Sequence, residues 1–283
     1  MDNGTAELQN ILETTFDIPF HVESGIKGGD PWYKIRPAGY TNELFEIHIC
    51  FLNQLRLNME FLPDAYAAPL IRDMASASPD KRATFLGYGK VFAERRAKMD
   101  FAINNMDASA IDSSSWPQQW QSIRLKITKS PVVNENEAFA PVKIVSDWGC
   151  LFVGMVLSLL EVVPENNKAW FAAESEGDSY STVINRYERS PVNRNLCIAA
   201  KGYTCMVCGM DFVSRYGELG SGFIHVHHVI PVSKMGPNYI VDPINDLTPV
   251  CPNCHAMLHR KDPPLEIEEL KGIFYEKKIN QSD

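Results

Sequence analysis

The chain has 283 residues, 45% of them hydrophobic and 10% aromatic. That is enough apolar material for packed cores, so a wholly disordered protein is excluded, and at about 150 residues per domain the length suggests two domains. Lys and Arg number 27 against 35 Asp and Glu, a net charge of −8, which argues against a protein that grips nucleic acid over its whole surface but permits a confined basic contact.

In chain order, the first residues lack a basic stretch followed by an apolar one, so no signal peptide is visible. Residues 43–62 alternate as strands do: Phe45, Ile47 and Ile49 against Glu46 and His48, then Leu57, Met59 and Phe61 against Arg56, Asn58 and Glu60. Asn53 and Gln54 separate the two runs, which predicts a β-hairpin. Two helices follow. The second starts at Ser78 as N-cap with Pro79 in the first turn and Asp80 near the positive end of the dipole, and is expected to run to about Lys98. Residues 104–119 read as a loop and residues 121–128 as another strand. Ser146 and Asp147 open an apolar helix to about Val163; the most apolar run, Trp148 to Leu160, is too short to span a bilayer and reads as a buried helix. Polar sequence from Glu174 to Ser181 reads as a linker. The expected organisation is α+β: an N-terminal α+β domain at 1–165, a linker at 166–180 and a smaller domain at 181–283.

The smaller domain carries the chemistry. Seven cysteines, an odd number, are too few for a disulfide scaffold of this length, and four of them form two C-x-x-C pairs: Cys205-Met-Val-Cys208 and Cys251-Pro-Asn-Cys254. Each pair lets two thiolates reach one ion from a tight turn, and two such knuckles complete a tetrahedral zinc site. The alternative, four unrelated core cysteines or a redox pair, is weakened by the second pair. The 42 residues between the knuckles exceed a minimal zinc ribbon, and the histidines gather in and just after this insertion. Five of seven fall within 35 residues: His225, His227, His228, His255 and His259. If Cys254 opens a helix, His255 and His259 share one face one turn apart. The segment Phe223–Pro231 is strand-like, so His227 and His228 serve one site only if the strand ends or twists there.

The string His227-His228-Val-Ile-Pro, followed by Asp246-Leu-Thr-Pro-Val-Cys-Pro-Asn-Cys-His255-Ala-Met-Leu-His259, resembles the HNH (ββα-metal) endonucleases, and the cysteine knuckles match their zinc-stabilised branch. The surrounding sequence (Tyr187-Glu-Arg, Tyr203-Thr-Cys-Met-Val-Cys-Gly, Tyr216-Gly and Val241-Asp-Pro) resembles McrA-type restriction nucleases over about residues 180–275. The resemblance implies a ββα-metal fold and phosphodiester hydrolysis. It implies His228 as general base, and His227, His255 and His259 as candidate ligands of a catalytic Mg²⁺, Mn²⁺ or other divalent cation. Zn²⁺ would be held by Cys205, Cys208, Cys251 and Cys254. Two positions depart from the pattern. Asp246 stands where the family has an asparagine, with Asn245 adjacent. His225 stands where relatives often have an acidic residue, and is either a support for the ligands or a bystander.

A small nuclease module makes few base contacts, so the first 165 residues are the candidate reader of the DNA. Trp32, Tyr33, Trp116 and Trp120, expected in loops, are candidates for stacking on a flipped base, with ordinary packing as the alternative for each. The basic side chains from Lys90 to Lys98 are candidates for phosphate contact, or else a solvated helix face. The expected protein is a soluble, cytoplasmic, homodimeric endonuclease acting on double-stranded, 5-methylcytosine-type modified DNA, with no membrane partner. The rival readings are a sequence-specific restriction enzyme paired with a methyltransferase, and a non-catalytic zinc-knuckle DNA-binding module. Residues 1–179 carry 16 basic and 24 acidic side chains and residues 180–283 carry 11 of each. The acidity therefore belongs to the reader, which is expected to rely on a pocket more than on bulk charge.

Overall fold

In a computed structural model of the chain, residues 3–38, 45–133, 138–160, 190–230, 239–261 and 263–279 are described. The chain divides into two compact units, Met1–Val183 and Ile184–Asp283. The linker expected at 166–180 lies outside the described residues, as do Tyr187, Arg189 and Pro231.

The N-terminal unit is a seven-stranded antiparallel sheet with helices on one face. Helix α1 (Asn3–Phe16) precedes strands β1 (Phe20–Lys27), β2 (Asp30–Pro37), β3 (Phe45–Leu52) and β4 (Arg56–Pro63). Helices α2 (Ala68–Ala75) and α3 (Pro79–Glu94), strands β5 (Lys98–Ile103), β6 (Met106–Asp107) and β7 (Ile123–Lys129), and helix α4 (Pro141–Ser158) complete it. The sheet order is β1-β2-β3-β4-β7-β5-β6. The expected hairpin is β3–β4, with Ile49 opposite Met59 and Phe51 opposite Leu57, and every second residue of both strands is buried. Its three-residue turn, Asn53–Leu55, holds Asn53 and Gln54 at φ 51° and 55°, in the left-handed region. Asp30, from the neighbouring β1–β2 turn, fastens it by accepting both turn N–H groups at 2.8 and 3.0 Å.

Helix α3 begins where Ser78 and Pro79 predict but stops at Glu94, four residues short of expectation. Arg96 takes φ 56° and Lys98 is already paired with Thr128 in the sheet, so the segment that would have extended the helix turns into β5 instead. Its basic face is partly committed to the fold. Arg82 donates to the carbonyls of Ala75 and Ala77, and Arg95 pairs with Asp147 at 3.0 Å over the Trp148 ring. Helix α4 starts at Pro141, five residues before the expected Ser146, because proline suits a first helical turn. Its length and hydropathy would suffice to cross a membrane, yet two thirds of it is buried within the unit, packed against α1, α3, β3 and β4. A helix that is apolar nearly all round belongs in a core.

The aromatic stacking candidates need correcting. Trp32 and Tyr33 lie on β2, not in a loop, and Tyr33 points into the core. Trp116 and Trp120 do lie in the 104–122 connection, which also contains the short β6, but both are buried. They form an edge-to-face cluster with Phe85 and Phe101 at centroid distances of 5.3–5.5 Å. Their indole N–H groups are spent on the loop's own carbonyls, Trp116 on Ser109 at 2.8 Å and Trp120 on Pro117 at 3.0 Å. The cluster fastens the loop to the sheet and leaves these rings nothing to offer a base. Only Trp32 among the four is partly exposed, with its ring lying over Gly25 on the paired strand.

The C-terminal unit consists of α5 (Pro191–Lys201), α6 (Phe212–Tyr216), the two-stranded sheet β8 (His225–His228) and β9 (Leu247–Val250), α7 (Pro252–Leu258) and α8 (Ile267–Ile279). Ser190 caps α5 by accepting from the Asn193 N–H. A small core of Ile198, Val207, Ile224, Val250, Leu258 and Leu270 surrounds three of the four knuckle cysteines.

Candidate active site

The four knuckle cysteines converge, with sulfur atoms all within 4.8 Å of one another and Cys208 3.7 Å from Cys251. Zinc–sulfur bonds of 2.3 Å in a tetrahedron require a sulfur–sulfur edge of about 3.8 Å, so the gathered thiols fit Zn²⁺. Their electrostatics ask for a cation. Burial raises Cys208 to about 11 and pushes Cys254 up further, and neighbouring sulfurs add to both. Burial also acts to raise Cys205, but the backbone N–H groups of Cys208, Cys251 and Val207 outweigh it and bring its thiol below the ordinary range. A divalent ion would let all four become thiolates.

The knuckles hold the ends of the ββα unit. Met206 donates its N–H to Pro249 of β9 at 3.0 Å. Cys251 is the N-cap of α7, its sulfur accepting from the Cys254 N–H at 3.4 Å, and Pro252 occupies the first turn. The seven-residue α7 is too short to persist alone. It begins at a member of the sulfur cluster; His255 lies within it and His259, one turn on, is its C-cap.

The strand supplies the third imidazole. His227, buried on β8, sits with ring centroids 5.3 Å from His255 and 5.0 Å from His259, and the latter two are 5.0 Å apart. Donor nitrogens of the three lie within 4.8 Å of one another. Burial is the largest influence on His227 and drives its pKa down to about 4, with His255, His259 and His228 adding to the effect. Its ring is therefore neutral near pH 7 and keeps a lone pair for a ligand. An all-imidazole set suits Mn²⁺, Co²⁺, Ni²⁺ or Zn²⁺ better than Mg²⁺. His228, the last residue of β8, is partly exposed and outside this trio, as strand alternation requires.

Asp246 ties down the loop that leads into β9. Its Oδ2 accepts from the Asp242 N–H at 2.8 Å and from the Tyr239 hydroxyl at 2.9 Å, while its carbonyl accepts from Val229, the residue after His228, at 2.8 Å. Both side-chain bonds are accepted ones, so a carboxylate serves where an asparagine would offer its oxygen. Asn245 instead donates to Asp242 within the same loop at 2.7 Å. Sequence reasoning missed two clamps. Lys201 donates to the Leu247 carbonyl at 2.6 Å and Arg194 to the Ile224 carbonyl at 2.9 Å, so α5 grips β9 and the residue that leads into β8. Their seven-residue spacing on one helix face was the available signal.

Comparison with known proteins agrees with this geometry. Residues 205–261 match the family model for HNH endonucleases. A 102-residue stretch is 31% identical to the type IV methyl-directed restriction enzyme EcoKMcrA of Escherichia coli (strain K12), covering 35% of this chain and 35% of that protein. The match thus spans about a third of the relative's length. No solved structure matches the chain. The strand pair that carries His227, the short helix that holds His255 and is capped by His259, and the cysteine cluster at their base all fall within residues 205–261, the stretch similar to the HNH endonucleases.

Proposed function

We propose that the chain is a divalent-metal-dependent DNA endonuclease, a cytoplasmic restriction enzyme that hydrolyses phosphodiester bonds in modified, 5-methylcytosine-type DNA. The observation that carries this reading is the convergence of His227, His255 and His259 on a ββα hairpin whose next residue is His228. In this reading the three imidazoles hold the catalytic ion and His228 removes a proton from water at an unprotonated ring nitrogen. The ion supplies positive charge to the phosphate and the leaving oxygen. Asp246, Lys201 and Arg194 keep the hairpin in register, and the four cysteines hold a structural Zn²⁺. The methylation preference follows the description of the E. coli relative as methyl-directed. Residues 1–165 read the DNA, with Trp32 as the remaining aromatic candidate. Cutting both strands calls for a homodimer, since one such site cleaves one strand.

The test is cleavage of methylated and unmethylated copies of one plasmid with Mg²⁺ or Mn²⁺, beside His228→Ala. Metal-dependent cutting of the methylated copy that is lost in the variant supports the reading. Preferential cutting of the unmethylated copy points to a conventional restriction enzyme with a partner methyltransferase. Absence of cutting under every condition points to a DNA-binding module.

A further inference from the structure

The histidine cluster has a fourth member that the ligand trio does not include. His225 lies two residues before His227 on β8 and so on the same face of the strand. Its ring meets His255 edge-on at 87°, with centroids 5.3 Å apart, the same separation that His227 keeps from His255 on the other side. The two Nδ1 atoms are 3.2 Å apart. Phe223 in turn packs edge-on against His225 at 6.2 Å, which helps hold this exposed ring in place.

Two imidazole nitrogens at 3.2 Å cannot both present lone pairs to each other, so one carries a proton and donates it to the other. The polarity of that bond decides what His255 can do. If neutral His255 accepts at Nδ1, its proton resides on Nε2 and the ring has no lone pair left for an ion. If His255 donates from Nδ1, its Nε2 lone pair is free. We infer that His225 is a positioning residue whose Nδ1 accepts from Nδ1–H of His255, fixing His255 in the tautomer that directs Nε2 to the ion held with His227 and His259. This rests on reading the trio as the metal site. A partner on the far nitrogen of a ligating histidine fixes both ring orientation and tautomer, and losing such a partner costs 10–100-fold in metal affinity. Because this pair is solvent-accessible, about tenfold, the low end of that range, is expected.

The experiment is Mn²⁺ titration calorimetry on the full chain with zinc in the cysteine site, comparing the native protein with His225→Ala, His225→Gln and His259→Ala. His225→Ala is expected to weaken Mn²⁺ binding about tenfold with zinc content unchanged. His225→Gln, whose side-chain oxygen accepts the same bond, is expected to recover most of the loss. Long-range proton–nitrogen correlation spectra with diamagnetic Zn²⁺ in the histidine site should show His255 protonated at Nδ1 and His225 protonated at Nε2. Native affinity in His225→Ala, with binding lost in His259→Ala, would overturn the role of His225 alone, as would metal bound directly to the Nδ1 of either ring. Unchanged affinity in His259→Ala would overturn the metal-site reading and this inference with it.

Discussion

Replacing Cys251 with alanine removes two supports of the active site at once, because this residue is both a member of the sulfur cluster and the N-cap of α7. Loss of an N-cap alone costs about 1 kcal/mol. Loss of the ion is the larger effect, since structural zinc contributes about 10–16 kcal/mol to folding in zinc-finger peptides, as much as the whole stability of an ordinary domain. The C-terminal unit has little to set against that loss: its central core is six aliphatic side chains around the cysteines. Helix α7, seven residues long, would not survive by itself, and it carries His255 and positions His259 as its C-cap. In Cys251→Ala, zinc content should therefore fall from one per chain to near zero, and Mn²⁺ binding at the histidines should vanish with it. The thermal transition of the C-terminal unit should disappear while that of the N-terminal unit persists. Scanning calorimetry, metal analysis and Mn²⁺ titration on one preparation measure all of these. A zinc-free variant that bound Mn²⁺ with native affinity would refute the idea that the knuckle builds the catalytic helix.

Three further outcomes are expected. His227, held at about 4 when folded against 6.5 when free, binds fewer protons folded than unfolded between those values. Its contribution is thus complete above pH 6.5 and is lost as pH falls toward 4. Without added metal at the histidines, urea stability should drop between pH 7 and pH 5 by up to about 1.4 kcal/mol per unit more than in His227→Gln, and equal slopes would contradict the burial argument. Trp116→Ala should destabilise the N-terminal unit by about 3–5 kcal/mol, whereas Trp32→Ala should cost about 1 kcal/mol or less and act on DNA affinity instead; matching urea midpoints would count against this division. Asp246→Asn should keep the acceptor and most of the cleavage rate, while Asp246→Ala should lower C-terminal stability by about 1.5–3 kcal/mol, read from the same denaturation curves.

Local features were legible in the sequence, and features made by distant contacts were not. The β3–β4 hairpin was readable because alternation and the polar Asn53-Gln54 break between the runs are both local signals. The knuckles were readable because C-x-x-C spacing is itself the turn geometry, and His255 with His259 because four residues make one helical turn. Helix α1 went unread although Leu8, Leu12 and Phe16 recur at helical spacing and are all buried. The burial of Trp116 and Trp120 had no such signal. Their loop has no period; Trp116 packs against Phe85 and Phe101 from other elements, and Trp120 packs against Trp116. The role of His225 depends on a partner 30 residues away, and the spacing that puts Arg194 and Lys201 on one helix face does not name the carbonyl 46 residues on that Lys201 holds.

The charge balance takes a more definite form once the ion pairs are in view. On the N-terminal sheet, Lys34 and Arg36 are paired with Glu46, Arg36 also with Glu23, Lys126 with Glu60, and Arg124 with Asp100 and Asp107. Such exposed pairs add little stability, but they offset much of the positive potential that these side chains would present to a phosphate backbone. The C-terminal unit commits cations in another way, since Arg194 and Lys201 point at backbone carbonyls of the catalytic hairpin. Neither unit thus offers these side chains as a bare basic stripe. A nuclease built this way would gain little affinity for arbitrary DNA from counterion release. Under the proposed function, its discrimination would have to come from contacts that only the correct base can make.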